Sequence, residues 1–217
     1  MIICYLNTAD FDDDFIGKLK KAEKKIFITE KILRGGKLSV CGRVLLGYLL
    51  KKNYGIDSYS YFYSENGKPF LRNERIHFNI SHSGDYVLCC ISEGEIGCDI
   101  EKIRDYNPKI GRRFFTEKEA LLLEERESED YNFSVLWTLK ESILKKEGTG
   151  ITGGLDTYCF ADYAGKNDFE AYGCHFMCRK YGEYMISVCA ESCPGEPYEI
   201  TKDKIEKYID EINRKNT

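Results

Sequence analysis

Ile76-His77-Phe78-Asn79-Ile80-Ser81-His82-Ser83-Gly84-Asp85-Tyr86-Val87-Leu88-Cys89-Cys90-Ile91 alternates apolar and polar side chains, breaks at Gly-Asp, and resumes as an apolar run. Successive side chains of a strand point to opposite faces, so Ile76, Phe78 and Ile80 are expected in a core. His77, Asn79 and Ser81 are expected to face away from it. Gly84-Asp85 is suitable chemistry for a short hairpin connection into a second strand. There Cys89 and Cys90 face opposite ways, which suits small buried fillers better than a disulfide lattice. Ile96-Gly97-Cys98-Asp99-Ile100-Glu101 reads as a third strand added to this hairpin, with Asp99 and Glu101 on one face.

A similar pattern returns a hundred residues later. His77-Phe78 precedes Gly84-Asp85-Tyr86 and an apolar run with Cys90; His175-Phe176 precedes Gly182-Glu183-Tyr184 and an apolar run with Cys189. Two similar α+β halves are expected, residues 1–104 and 105–217, with the boundary at the polar stretch from Arg104 to Pro108. Helices are predicted over 18–25, 39–52, 110–115, 117–126, 137–147 and 202–216, and Thr116 with Glu119 fits a capping box. Further strands are predicted over 59–63, 158–160, 174–179 and 184–189.

The chain has 217 residues and a net charge of -4, with 42% hydrophobic and 31% charged residues. That composition suits a folded water-soluble protein with a real core and gives no overall attraction to nucleic acid or acidic membranes. No apolar run reaches the ~20 residues of a membrane span. The start lacks a basic leader and soon becomes acidic, so no signal peptide is expected. Ten cysteines without an export signal are expected to stay reduced, in the cytoplasm.

Chemistry concentrates in two places. Asp99 and Glu101, held ~6 Å apart on a strand, would repel by roughly 3 kcal/mol at an effective dielectric near 20. A divalent cation would relieve that repulsion in an enclosed site, and Mg²⁺ suits one or two carboxylates plus substrate phosphates. On the helix Trp137–Glu147, Glu141 and Lys145 are one turn apart on one face, with Gly148-x-Gly150 beyond. Alone the pair would be a surface ion pair worth about 0.2–0.5 kcal/mol. Beside two strand carboxylates it offers acid for a metal and lysine for a diphosphate. Ser81 and His82 are sequence neighbours on opposite faces, a poor nucleophile–base pair but a reasonable phosphate site. Cys174-x₃-Cys178 and Cys189-x₃-Cys193 have longer spacings than zinc knuckles and are read as core fillers.

Taken together, Gly67-Lys68-Pro69, Phe78-Asn79-Ile80-Ser81-His82-Ser83, Ile96-Gly97-Cys98-Asp99-Ile100-Glu101, Arg113-Phe114-Phe115-Thr116-x-x-Glu119 and Trp137-x-x-Lys140-Glu141-Ser142-x-x-Lys145-x-x-Gly148-x-Gly150 resemble the 4′-phosphopantetheinyl transferases. Their order and spacing resemble the larger, surfactin-type branch over residues 37–190. The resemblance implies a monomeric pseudo-dimer of two α+β halves, each a small antiparallel sheet packed with helices. It implies transfer of phosphopantetheine from coenzyme A to a serine of an apo acyl or peptidyl carrier protein, releasing 3′,5′-ADP. Asp99, Glu101 and Glu141 match the magnesium ligands, with Mn²⁺ an alternative. Lys145 and Lys140 match phosphate contacts, Lys68 and Pro69 the adenine side, and Ser81 and His82 the 3′-phosphate site. Glu119 matches the acidic residue in the role of base. Among Lys24, Lys25, Lys37 and Arg43 the sequence does not choose a further phosphate contact.

Two rivals use the same residues. A Mg²⁺-dependent nucleotide pyrophosphatase would hydrolyse coenzyme A without a carrier. A coenzyme A-binding module would bind regardless of magnesium.

Overall fold

Strand alternation sorts the side chains into three apolar clusters, and the clusters define the layers. The computed structural model describes residues 1–29, 35–72, 75–103, 114–124, 129–150 and 154–215. In the first lobe β1 (Ile2–Asn7), β4 (His77–Ser83), β5 (Tyr86–Ser92) and β10 (Tyr198–Glu199) form a sheet of order β10-β1-β5-β4. It is antiparallel except where β10 joins β1. Helices α1 (Asp13–Ile26), α2 (Lys37–Tyr54) and the C-terminal Lys202–Lys215 cover one face. A small hairpin, β2 (Tyr61–Tyr63) with β3 (Pro69–Leu71), stands beside it.

In the second lobe β6 (Ile96–Lys102), β7 (Asp168–Ala171), β8 (Cys174–Tyr181) and β9 (Tyr184–Ala190) pair antiparallel in the order β6-β9-β8-β7. Helices α3 (Glu117–Leu123) and α4 (Glu129–Glu147) lie over it; the C-terminal helix is α5. The two lobes are similar α+β units, each a small sheet packed against helices.

The sheets face each other. On β5, Cys89 and Ile91 enter the first lobe's helix-side core, whereas Leu88 and Cys90 enter a cluster shared with β6 and β9. On β9, Met185 and Cys189 face the second lobe's helices, while Ile186 and Val188 enter the shared cluster. The opposed orientation expected for Cys89 and Cys90 therefore holds, and eight cysteines (4, 41, 89, 90, 98, 174, 178 and 189) are buried.

The repeat seen in the sequence is two matching hairpins. β4–β5 turns at Gly84 (φ 55°) and β8–β9 at Gly182 (φ 57°), the positive first angle that a tight II′ connection demands. The turns meet: the backbone N–H of Asp85 donates to the Tyr184 hydroxyl at 3.3 Å.

Several expectations change. The strand holding Asp99 and Glu101 does not extend the first hairpin; it pairs with β9. It stays close to β4 by another route. As an edge strand, β6 has amides left over from its pairing with β9. The N–H groups of Cys98 and Lys102 donate to the side chains of Asn79 and Ser83, at 3.1 Å each. The polar face of β4 is thus a seam between lobes, and Asn79 and Ser81 are buried rather than turned to solvent. Residues 158–160 form no strand, because side chains satisfy their backbone: Cys159 N–H donates to the Tyr172 hydroxyl and Phe160 N–H to Glu119. The helix predicted from Trp137 begins at Glu129. The boundary expected at 104–108, Arg113, and most of the helix expected at 110–115 lie outside the described residues.

Candidate active site

Gly97 lets the site form. A Cβ there would sit 2.1 Å from the Ser142 carbonyl oxygen and 2.3 Å from the Lys146 nitrogen, so the α4 backbone lies directly on β6. The face of β6 that carries Gly97 also carries Asp99 and Glu101. The turn of α4 that rests on it carries Glu141 and Lys145. Strand and helix acids meet because a glycine removes the spacer between them.

Asp99 is buried, 4% exposed. Its Oδ1 accepts from Lys145 Nζ and from Ser81 Oγ, both at 2.6 Å; Lys145 also donates to Ser81 Oγ at 3.0 Å. Asp99 Oδ2 and Glu141 Oε1 are buried with no hydrogen-bond partner. Leaving such atoms unsatisfied costs about 1–3 kcal/mol each. Burial raises the Glu141 carboxyl above the ordinary range; Lys145 pulls it down, and Asp99 and Glu101 push it up again. Burial would lower the Lys145 ammonium, but Asp99, with help from Glu141, carries the net shift upward. Three carboxylates sense one another across a single lysine.

Beside this cluster opens a cleft of about 350 Å³, with Arg43, Lys68, Pro69, His82, Lys145 and Gly148 in its walls. Lys68 donates to the carbonyl of Lys146 at the end of α4, its stem packs against the site of Gly148, and burial lowers its pKa. Of the basic residues left open, Arg43 lines the cleft, anchored by an ion pair with buried Glu23. Lys25 instead donates to Asn213, and Lys37 lies over the Phe11 ring. Tyr61, a wall residue stacked on Phe27, was missed in the sequence; an aromatic in a short strand gives no hint of a ligand.

Three expected contacts are placed elsewhere. Ser81, matched to a 3′-phosphate, is buried on Asp99 and Lys145, because the alternation that turns His82 toward the cleft turns Ser81 inward. Lys140, matched to a phosphate contact, is wholly buried: its ammonium donates to the carbonyls of Leu155 and Tyr158 and pairs with Glu119 at 2.8 Å. All three of its N–H donors are taken. Glu119, matched to the base, is 0% exposed. Its Oε1 accepts from Phe160 N–H at 2.8 Å; its Oε2 accepts from Thr116 N–H, the Thr116 hydroxyl and Lys140. The capping box is present in both directions, and it occupies this carboxylate.

The donor set suits Mg²⁺. Among the described residues no group of three or more His, Cys, Asp or Glu forms a ready-made metal cage. Mg²⁺ needs none, since it takes one or two carboxylates and completes its shell with water and substrate phosphates. Two buried carboxylate oxygens without partners are atoms for such an ion to satisfy.

Comparison with known proteins identifies the family. Residues 95–189 match the 4′-phosphopantetheinyl transferase superfamily, and residues 14–93 match "4′-phosphopantetheinyl transferase, N-terminal". The chain is 33% identical over 182 residues to 4′-phosphopantetheinyl transferase Sfp of Bacillus subtilis (strain 168), covering 79% of this chain and 81% of that one. It is 29% identical over 183 residues to 4′-phosphopantetheinyl transferase AcpT of Escherichia coli (strain K12), covering 80% and 83%. Among solved structures it is similar to Thermotoga maritima holo-[acyl-carrier-protein] synthase at a TM-score of 0.31 and 16% identity, covering 46% of this chain and 64% of that one. The chain belongs to the 4′-phosphopantetheinyl transferase superfamily and is an enzyme of that class. Among the described residues no helix is long and apolar enough to cross a membrane.

Proposed function

We propose that this enzyme moves 4′-phosphopantetheine from coenzyme A to a serine hydroxyl of an apo acyl or peptidyl carrier protein, with Mg²⁺, leaving 3′,5′-ADP. We place it in the surfactin-type branch, as a monomer of the reducing cytoplasm. One observation supports the proposal above the rest: Gly97 seats α4 on β6, so that Asp99 and Glu141 gather around Lys145, which itself lines a cleft walled by Arg43, Lys68 and His82. Similarity to Sfp over 79% of the chain supports the branch.

Coenzyme A would lie along the cleft, its nucleotide against Lys68 and Pro69 and its 3′-phosphate toward His82 and Arg43. Lys145 would turn from Asp99 to the diphosphate and stabilise charge on the departing phosphate. Asp99, Glu101 and Glu141 would hold Mg²⁺, which supplies charge neutralisation at the diphosphate oxygens. Displacement at phosphorus asks little covalent work of the protein, so positioning and charge dominate. Both carboxylate oxygens of Glu119 are engaged, whereas Glu141 has one without a partner. We therefore assign proton acceptance from the carrier serine to Glu141, by the carboxylate oxygen that the ion would leave open, directly or through water.

Incubation with coenzyme A, Mg²⁺ and an apo carrier, read by intact mass of the carrier, tests the proposal. A gain of one phosphopantetheine is expected. An unmodified carrier with hydrolysed coenzyme A would make the chain a pyrophosphatase.

A further inference from the structure

The Glu119–Lys140 pair is held by a device that breaks a local rule. Among the described residues, Tyr172 is the one non-glycine with a positive φ, 53°. It and Gly173 (φ 70°) form the two-residue loop between β7 and β8, where both positions are left-handed. Such loops favour Asn-Gly or Gly-Gly, and an aromatic residue is strained there. The ring gives a reason. Its hydroxyl donates to the Cys159 carbonyl at 2.8 Å and accepts from the Cys159 N–H at 2.9 Å, and the ring packs on Tyr158 and Phe160. Both backbone groups of one residue are fixed by one side chain. That residue sits in the segment whose Leu155 and Tyr158 carbonyls hold Lys140, and whose Phe160 N–H holds Glu119.

Lys140 immediately precedes Glu141 on α4, about 100° round the helix axis. A carboxylate carried about 6 Å from that axis moves about 1 Å for each 10° of helix rotation. Misplacement of that size is enough to slow a reaction about 100-fold.

We propose that Tyr172, Glu119 and Lys140 are positioning residues: Tyr172 latches the 155–160 segment, and the buried pair fixes the rotation of α4 that aims Glu141. The inference rests on the transferase proposal, and wild-type transfer is its control; if wild type transfers nothing, that proposal fails first.

The test is Glu119→Gln and Lys140→Met, singly and together, with kcat and the KM for coenzyme A measured beside the thermal midpoint. Each single change leaves a buried charge uncompensated, so kcat should fall about 100-fold and the midpoint should drop. The double change removes both charges, and kcat should return to within about tenfold of wild type with the KM within about twofold throughout. A base or a phosphate-binding lysine cannot be restored by deleting its neighbour. A double variant that folds yet is no faster than the slower single one would overturn the proposal. Tyr172→Asn gives an independent check if those variants fold poorly. Asn tolerates the left-handed turn but breaks the latch, so kcat should fall about tenfold in a variant that still folds. Unchanged or faster turnover in that variant would remove Tyr172 from the proposal.

Discussion

Two lysine–carboxylate pairs sit on the same helix and could hardly differ more. Lys145 with Asp99 is left incomplete: the lysine side chain is 28% exposed, Asp99 Oδ2 has no partner, and neighbouring Glu141 has an unpartnered oxygen too. Lys140 with Glu119 is closed: both side chains are fully buried and every donor and acceptor is used. In the sequence they look alike, a lysine and an acid within a few residues of each other or of a motif. What separates them is unused bonding capacity. A buried polar group with nothing left to bond supports the scaffold, whereas one kept buried and unsatisfied is maintained at a loss that only a ligand repays.

The contrast can be broken at its strongest point by exchanging which quantity each pair controls. Asp99→Ala should reduce transfer about 1000-fold or more while the thermal midpoint stays close to wild type, because the change also deletes an unsatisfied buried oxygen. Lys140→Met should cost less rate, about 100-fold, and more stability, destabilising the fold by about 3–5 kcal/mol through the charge stranded on Glu119. Parallel rate and denaturation measurements on the two variants suffice. If Asp99→Ala unfolds the protein as readily as Lys140→Met, the two pairs share one structural role.

Next in size is Gly97→Ala. A methyl group would meet helix backbone at 2.1 and 2.3 Å, atoms that no rotamer change can move aside. Overpacking of this kind typically costs about 1–3 kcal/mol. Displacement of α4 should also part Glu141 from Asp99, so transfer should fall further than stability alone explains. Loss of activity in step with the unfolded fraction would show Gly97 to be a packing residue and nothing more.

Much of this was legible in the sequence, and the gaps have physical causes. Hairpins β4–β5 and β8–β9 could be read because their alternation and Gly-led turns are local signals. Asp99, Glu141 and Lys145 could be read because strand and helix periodicities say which side chains share a face. The partner of β6 could not. Three strands close in sequence suggest a meander, but Asn79 and Ser83 cap the β6 edge with side chains, and the ladder forms with β9, some ninety residues away. For the same reason Asn79 and Ser81 read only as facing away from the first core: nothing local announces a second lobe over that face. Glu119 and Lys140 were given chemical roles because a motif records that a residue type recurs, and carries no account of its burial. The clue within reach was Thr116, since a capping box already engages the glutamate three residues on.

The smallest expected effect concerns Glu141 without metal. Burial favours its protonated form, so the native state holds that proton more tightly than the unfolded chain does. The resulting stabilisation is complete below the ordinary carboxylate value of 4.5 and is lost as pH rises through the higher folded value. Above that value the ionised group is a liability until a cation meets it. Glu141→Gln should raise the midpoint of the metal-free protein at pH 7, and the gain should vanish below about pH 4. Mg²⁺ should raise the wild-type midpoint at pH 7 by mass action and leave Asp99→Ala unmoved. The Lys140–Glu119 pair gives the internal contrast: having no unfilled valence, it should respond to neither. A wild-type midpoint indifferent to Mg²⁺ at millimolar concentration would mean that Lys145 alone satisfies these acids, and that the incomplete pair is as much a part of the scaffold as the closed one.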